Sequence, residues 1–335
     1  MKKILSVIVF FVFIIAAFAP CVSKAQNHDE IAKQDSILNV IGYFCNRDTV
    51  VYWIQDSEWK LTPSDTIQEM GVSTKVMLTV ADSTASGYTM NYTFLDFRAD
   101  SISDSELGNF QNRLVSQIGR KIIGTTIQFE TDEYGVITKF NNLGKIKKQA
   151  KSIFKDAIKE MQQLPWVKGL KEMGFDLNSY LKNVETDELV EGYIEEIKLL
   201  FRCHGYQYKL GETTEHEDAT ENQYANDTYN SVWVDEDGCY HVSFDVINTI
   251  PQDDIKALVS GVVEELSPGT LTESFNSEFD NQVNKDCMRE SFLKIDYLPY
   301  GWPTLVIKQE STMIGDRGKL KQKYIYIDAY SICNY

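Results

Sequence analysis

The sequence predicts an α+β fold, a curved antiparallel β-sheet with amphipathic helices packed on one face. Three observations lead there. Segments whose apolar residues alternate at every second position come in pairs joined by short Asp/Ser/Gly turns, the pattern of antiparallel hairpins. Other segments repeat apolar residues every three to four positions, the pattern of helices buried along one face. The order also runs from strands through a helical middle and back to strands, as in a chain whose helices and sheet segregate.

The first 25 residues read as a cleavable secretory signal peptide. Lys2 and Lys3 supply the positive start, Ile4 to Phe18 the apolar segment, and Ser23-Lys24-Ala25 the small-x-small site before Gln26. The apolar run is short for a bilayer span of about 20 residues. Phe18-Ala19-Pro20-Cys21 stands where a lipidation box would, but Pro20 is a poor neighbour for an acylated cysteine. Cleavage after Ala25 is therefore preferred over a lipid anchor at Cys21, and the chain is expected in the periplasm or outside the cell. Residues 26–335 are expected to form a single α+β domain, with a division into two lobes, 26–203 and 204–335, left open.

In that domain, Ile31, Ile37, Leu38, Ile41 and Phe44 predict a short helix over Glu30 to Phe44. Val50 to Ile54 follows as a strand. Val76, Leu78 and Val80 alternate through Lys75 to Ala81, and after the turn Asp82 to Gly87 the chain returns through Tyr88, Met90, Tyr92 and Phe94, which predicts a hairpin. Leu107, Phe110, Leu114 and Ile118 predict a helix begun near Ser103. Ile127 and Phe129, the turn Asp132-Glu133-Tyr134-Gly135 and Val136 to Phe140 predict a second hairpin. Asn142 is expected to cap a long helix with the stripe Leu143, Ile146, Ala150, Ile153, Phe154, Ala157, Ile158 and Met161. Helical patterns continue over Val167 to Met173, Leu177 to Leu181 and Asp187 to Arg202.

The last third opens with a strand over Tyr206 to Leu210, and Gly211 to Asn226 reads as a loop or polar edge strand. Ser231 to Val234, the turn Asp235-Glu236-Asp237-Gly238 and Cys239 to Val246 form a hairpin. Pro251 opens a helix carrying Ile255, Leu258, Val262 and Leu266, stopped by Ser267-Pro268-Gly269. Strands over Thr304 to Met313 and Lys321 to Ala329 end the domain. A hairpin with an acidic turn closed by Gly135 or Gly238 and followed by a helix occurs twice, the outline of a repeated unit.

Composition narrows the function classes. The chain carries 33 Lys and Arg against 49 Asp and Glu, and losing Lys2, Lys3 and Lys24 with the leader moves the formal charge from −16 to −19. That balance argues against a nucleic-acid partner. Cys45, Cys203, Cys239, Cys287 and Cys333 would remain, and in an oxidising compartment two disulfides and one free thiol is the simplest expectation.

Soft ligands cluster at Cys203-His204 and at Cys239-Tyr240-His241, but strand neighbours point to opposite faces, so neither a zinc site nor a Cys-His nucleophile is expected. Glu215-His216-Glu217 reads as a solvated loop. No cofactor motif occurs. Two features suggest a ligand instead. The stripe Tyr88, Met90, Tyr92, Phe94 would line an apolar cavity if it is not core, and Lys147, Lys151 and Lys155 on the helix after Asn142 would meet a membrane or anionic headgroup.

The residues Ser23-Lys24-Ala25-Gln26, Gly71-Val72-Ser73-Thr74-Lys75-Val76 and Asp82-Ser83-Thr84-Ala85-Ser86-Gly87-Tyr88 resemble an exported protein family of gut Bacteroidetes, a likeness best over the first hundred residues. Asp35-Ser36-Ile37, Asp48-Thr49-Val50, Asp65-Thr66-Ile67, Asp82-Ser83-Thr84 and Asp100-Ser101-Ile102 resemble the O-glycosylation sequon of Bacteroidetes, which would place glycans on Ser36, Thr49, Thr66, Ser83 or Ser101. The layout of hairpins and helices is similar to the half-barrel of periplasmic lipoprotein carriers. The expected function is thus an exported, non-catalytic envelope binding protein for an apolar small molecule or lipid. A structural or protein-interaction module of the envelope is the alternative, marked by a filled core and an exposed aromatic patch. An enzyme ranks third, since no polar groups converge from several segments.

Overall fold

A computed structural model describes residues 37–100, 106–163, 186–220, 223–266 and 285–332. The predicted leader, the lipidation box and the helical patterns at Val167 to Met173 and Leu177 to Leu181 lie outside these residues. Thirteen described strands are named here β1 (Ile37–Asn39), β2 (Thr49–Leu61), β3 (Thr66–Thr84), β4 (Gly87–Asp100), β5 (Thr126–Thr131), β6 (Ile137–Phe140), β7 (Gln207–Lys209), β8 (Gly211–Glu217), β9 (Asn226–Val234), β10 (Tyr240–Ile250), β11 (Cys287–Tyr297), β12 (Pro303–Ile314) and β13 (Arg317–Ser331). The helices are α1 (Glu106–Ile122), α2 (Leu143–Met161), α3 (Thr186–Leu200) and α4 (Gln252–Leu266).

Eleven of these strands make one large curved antiparallel sheet in the order β6-β5-β4-β3-β2-β13-β12-β11-β10-β9-β8. Two meanders, β2 to β6 and β8 to β13, thus meet where β2 pairs with β13. Residues from both of the lobes considered above share this sheet, and Ser36–Tyr335 forms one compact unit. β1 and β7 form a separate two-stranded ribbon.

Directly paired residues share a face of the sheet, so the registers can be followed across it row by row. One row runs Thr74, Ile54, Ile325, Val306, Ile295, Val242, Val232, and every member is buried. Val50, Tyr52, Val76, Leu78, Met90, Tyr92, Ile127 and Phe129 extend the same core. Val190, Ile194, Ile197 and Leu200 of α3 join it. The period of these four residues is why α3 is a helix here: a stripe three to four residues apart has no other way to reach one surface.

Several expectations are corrected. Ile37–Asn39 is a strand and not helix: it pairs with β7, and Val40, Gly42 and Tyr43 donate their backbone N–H groups to the carbonyls of Tyr206, Tyr134 and Tyr300 and not to a helical ladder. Asn142 does not cap α2 with its side chain. Its Oδ1 accepts from Gln128 N at 3.0 Å and its Nδ2 donates to Thr126 O at 2.9 Å, so the amide satisfies the stretch of β5 beyond the end of β6. The two-disulfide expectation also fails, because Cys203, Cys239 and Cys287 are free thiols. Cys45 is disulfide-bonded.

The two acidic turns adopt one geometry. Asp132 Oδ1 accepts from Tyr134 N and Val136 N, and Asp235 Oδ1 accepts from Asp237 N and Cys239 N. Gly135 and Gly238 follow at φ +91° and +80°, a conformation open to glycine and costly for a side chain with Cβ. The two turns thus share one hydrogen-bond pattern, Asp Oδ1 to the backbone N–H groups two and four residues on.

Candidate functional site

Two residues beyond the dry row, the same face changes character. The next row runs Ala99, Val72, Asp56, Lys323, Lys308, Leu293, Phe244, Asn230, and the one after it Met70, Glu58, Lys321, Glu310, Ser291, Val246, Thr228. β-Strands rise about 3.3 Å per residue, so a close-packed aliphatic layer gives way to a ladder of charges within about 7 Å. Apolar side chains flank the ladder on both sides. Asp56, Glu58, Met70, Lys308, Glu310, Lys321 and Lys323 line a trough of about 250 Å³ there.

The ladder is paired throughout. Lys323 Nζ lies 2.7 Å from Glu196 Oε1 and 3.1 Å from Asp56 Oδ2, Lys321 lies 3.3 Å from Glu58, and Lys308 lies 2.8 Å from Glu310. Glu196 comes from α3, keeps only 8% of its side chain exposed, and also accepts from Tyr92 Oη at 3.0 Å. A chain of four polar groups, Tyr92, Glu196, Lys323 and Asp56, thus bounds the dry core and opens onto the trough. Burial pushes the Asp56 carboxyl up from its ordinary 3.8 to about 6; Lys323 opposes the rise and the Glu196 carboxylate adds to it. The Lys323 ammonium is held above its ordinary range because its two carboxylate partners outweigh its desolvation. Burial, followed by Glu196, does the same to the Tyr92 hydroxyl. A carboxyl poised near neutrality in a cleft marks a candidate functional site. The arrangement offers donors and acceptors of both signs to a polar headgroup.

Sequence reasoning placed ligand contacts elsewhere. Met90, Tyr92 and Phe94 are at most 2% exposed and belong to the close-packed core, while Tyr88 is half-buried and donates to Gly42 O. The trough is not lined by this stripe. Tyr92 alone reaches the site, through its hydroxyl. Lys147 pairs with Glu191 of α3 at 2.9 Å, whereas Lys151 and Lys155 sit exposed on α2. Among the glycan candidates, Thr66 is exposed at the β2–β3 turn, Ser83 bonds to Phe44 O, and Thr49 bonds to Arg47 O inside β2. Ser36 and Ser101 lie outside the described residues.

Cys203 and His204 are both buried at the end of α3, and no group of three or more metal-ligating side chains occurs among the described residues. His216 bridges Asp227 at 2.6 Å and Asp218 at 3.3 Å on the exposed β8 edge, and those bonds raise its pKa. The residues that sequence reasoning missed, Asp56, Glu58, Lys308, Glu310, Lys321 and Lys323, did carry a signal. Acid at alternate positions of β2 faces base at alternate positions of β13, the pattern of one charged sheet face against another.

No family model matches the chain, and no curated protein matches it. Among solved structures, a lipovitellin chain described for its lipid–protein interactions aligns with 87% of this chain at 8% identity and a TM-score of 0.43. This chain spans about a quarter of that one, 26% of its length. An outer membrane channel from Pseudomonas putida F1 aligns over 89% of this chain and 100% of its own, at 6% identity and a TM-score of 0.14. No helix among the described residues is long and apolar enough to cross a membrane.

Proposed function

We propose that the chain is an exported, non-catalytic binding protein of the cell envelope, and that its ligand is amphipathic, with an ionic head seated on the charged trough of an open half-barrel. In this reading the helices cover one face of the sheet and leave the trough as the exposed end of that face. One observation carries the proposal: the inner face passes from the buried row of Ile54, Ile325 and Val306 to the half-buried ladder of Asp56, Lys323 and Lys308 without leaving the sheet. Half-buried charges held at the mouth of a core cost desolvation, and a site that uses them to orient a headgroup gives them a role. Val72 and Met70 on one flank, with Leu293 and Phe244 on the other, supply surface for the apolar part, at about 25 cal/mol per Å² covered.

The test is binding of monomeric lysophosphatidylcholine to residues 26–335, with native mass spectrometry of the protein as purified from its own host. A bound amphiphile, and an affinity lowered at least about tenfold by Lys308→Glu with Lys321→Glu in protein that stays folded by circular dichroism, is the expected result. A bare polypeptide mass together with no binding below the micellar concentration would sink the reading.

A further inference from the structure

A second cleft, of about 310 Å³, opens where the β5–β6 hairpin meets the end of α3. Its floor is apolar, built from Ile137 and Phe140 of the hairpin and the buried ring of Phe201. Its rim is cationic, with Lys139, Lys198 and Arg202. No carboxylate is among its lining residues, in a chain of formal charge −16. Lys139 and Lys198 touch Glu130 and Glu195 outside the lining, at 3.2 and 2.7 Å. These are exposed pairs, which hold weakly and can yield an ammonium to a better partner.

The most deeply buried member of the lining is His204, 1% exposed. Its Nε2 lies 2.9 Å from the carbonyl oxygen of Gly301. A carbonyl oxygen only accepts, so Nε2 carries the proton and Nδ1 keeps its lone pair. That Nδ1 has no hydrogen-bond partner although it is buried. A cleft whose lining combines an apolar floor, three cations and a buried acceptor in want of a donor describes the complement of a particular kind of molecule.

We propose that this cleft is a second binding site, for a small organic anion with a planar apolar body and a hydroxyl group. The anionic group meets Lys139, Lys198 and Arg202, the body lies over Phe140 and Phe201, and the hydroxyl donates to His204 Nδ1. The site is separate from the trough and stands whether or not the trough binds an amphiphile.

Calorimetric titration of residues 26–335 with 4-hydroxyphenylacetate, phenylacetate and tyramine tests it, since the second lacks the hydroxyl and the third replaces the carboxylate by a cation. The expected order is 4-hydroxyphenylacetate tightest, phenylacetate several-fold weaker, and tyramine weaker by on the order of tenfold or more. Lys198→Glu with Arg202→Glu, both exposed, should weaken the carboxylates by at least about tenfold, whereas Lys308→Glu with Lys321→Glu should leave them unchanged. Equal affinity for tyramine, no binding at millimolar concentration, or indifference to the Lys198 and Arg202 reversals would each overturn the proposal. Equal affinity for the two carboxylates would remove the hydroxyl contact that the proposal assigns to His204.

Discussion

At the scale of single residues, two buried groups titrate against each other. Burial lowers the His204 pKa from 6.5 to about 4, against the pull of the Gly301 carbonyl. Its folded value lies below its unfolded one, so its contribution to stability is present above pH 6.5 and is lost as pH falls toward 4, on the order of 3 kcal/mol in full. Asp56 works in the other direction. Its folded value of about 6 lies above its ordinary 3.8, so its cost is present above pH 6 and is relieved as pH falls between those values. The opposed slopes share one window and flatten the acid limb of the stability profile. Asp56→Asn removes one of them, so calorimetric melting temperatures from pH 7 to 4 should fall more steeply in that variant than in the wild type; parallel profiles would contradict the assignment. Lys323→Met strands the Glu196 and Asp56 carboxylates and should cost about 3–5 kcal/mol by denaturant titration. Tyr92→Phe, which deletes only the hydroxyl that donates to Glu196, should cost about 1–3 kcal/mol, less than the roughly 3–5 kcal/mol of Tyr92→Ala.

At the scale of elements, the twin turns make a matched pair of predictions. Asp132→Ala and Asp235→Ala each remove one carboxylate that accepts two backbone N–H groups, so each should lower stability by about 1–2 kcal/mol, measured by thermal unfolding. A large disparity would mean that the surroundings, and not the turn chemistry, set the cost. The same elements show what a sequence reveals. Strand pairs such as β3–β4 and β5–β6 were legible because Val76, Leu78 and Val80 or Ile127 and Phe129 alternate with polar neighbours and Gly marks the turns. β11 went unread although Leu293, Ile295 and Tyr297 alternate with Lys294 and Asp296, because Cys287, Arg289 and Ser291 blur its first half. β2 was read too short for a related reason: its far end carries Asp56, Glu58 and Lys60 on the face that is apolar elsewhere, so the hydrophobic signal stops while the strand continues. The candidate site occupies that blind spot. The helix expected over Glu30 to Phe44 had the right period, and its described part lost to backbone partners that lie 90 or more residues away in sequence and that no local pattern announces.

At the scale of the whole molecule, one seam joins the two meanders. Gln55 of β2 meets Tyr326 of β13 across 271 residues of sequence. Closing so long a loop is entropically slow, and sheets dominated by such pairings fold in about milliseconds to seconds or longer. Ending the chain after Ile314 deletes β13, bares the facing edges of β2 and β12, and should give a protein that elutes as aggregate on size-exclusion chromatography. The outer borders are better protected: β6 spans four residues, and β8 presents Glu212, Glu215 and Glu217.

The seam also has a mechanical meaning. Thr49 pairs with Ser331, so the outer ends of β2 and β13 leave the sheet side by side at the same end of the seam. Tension applied at these two residues would load the ladder one hydrogen-bonded pair at a time and unzip it, where a pull from opposite ends would shear every pair at once. Anchored at one of these ends and drawn at the other, the molecule would part along its midline at low force, into two half-sheets.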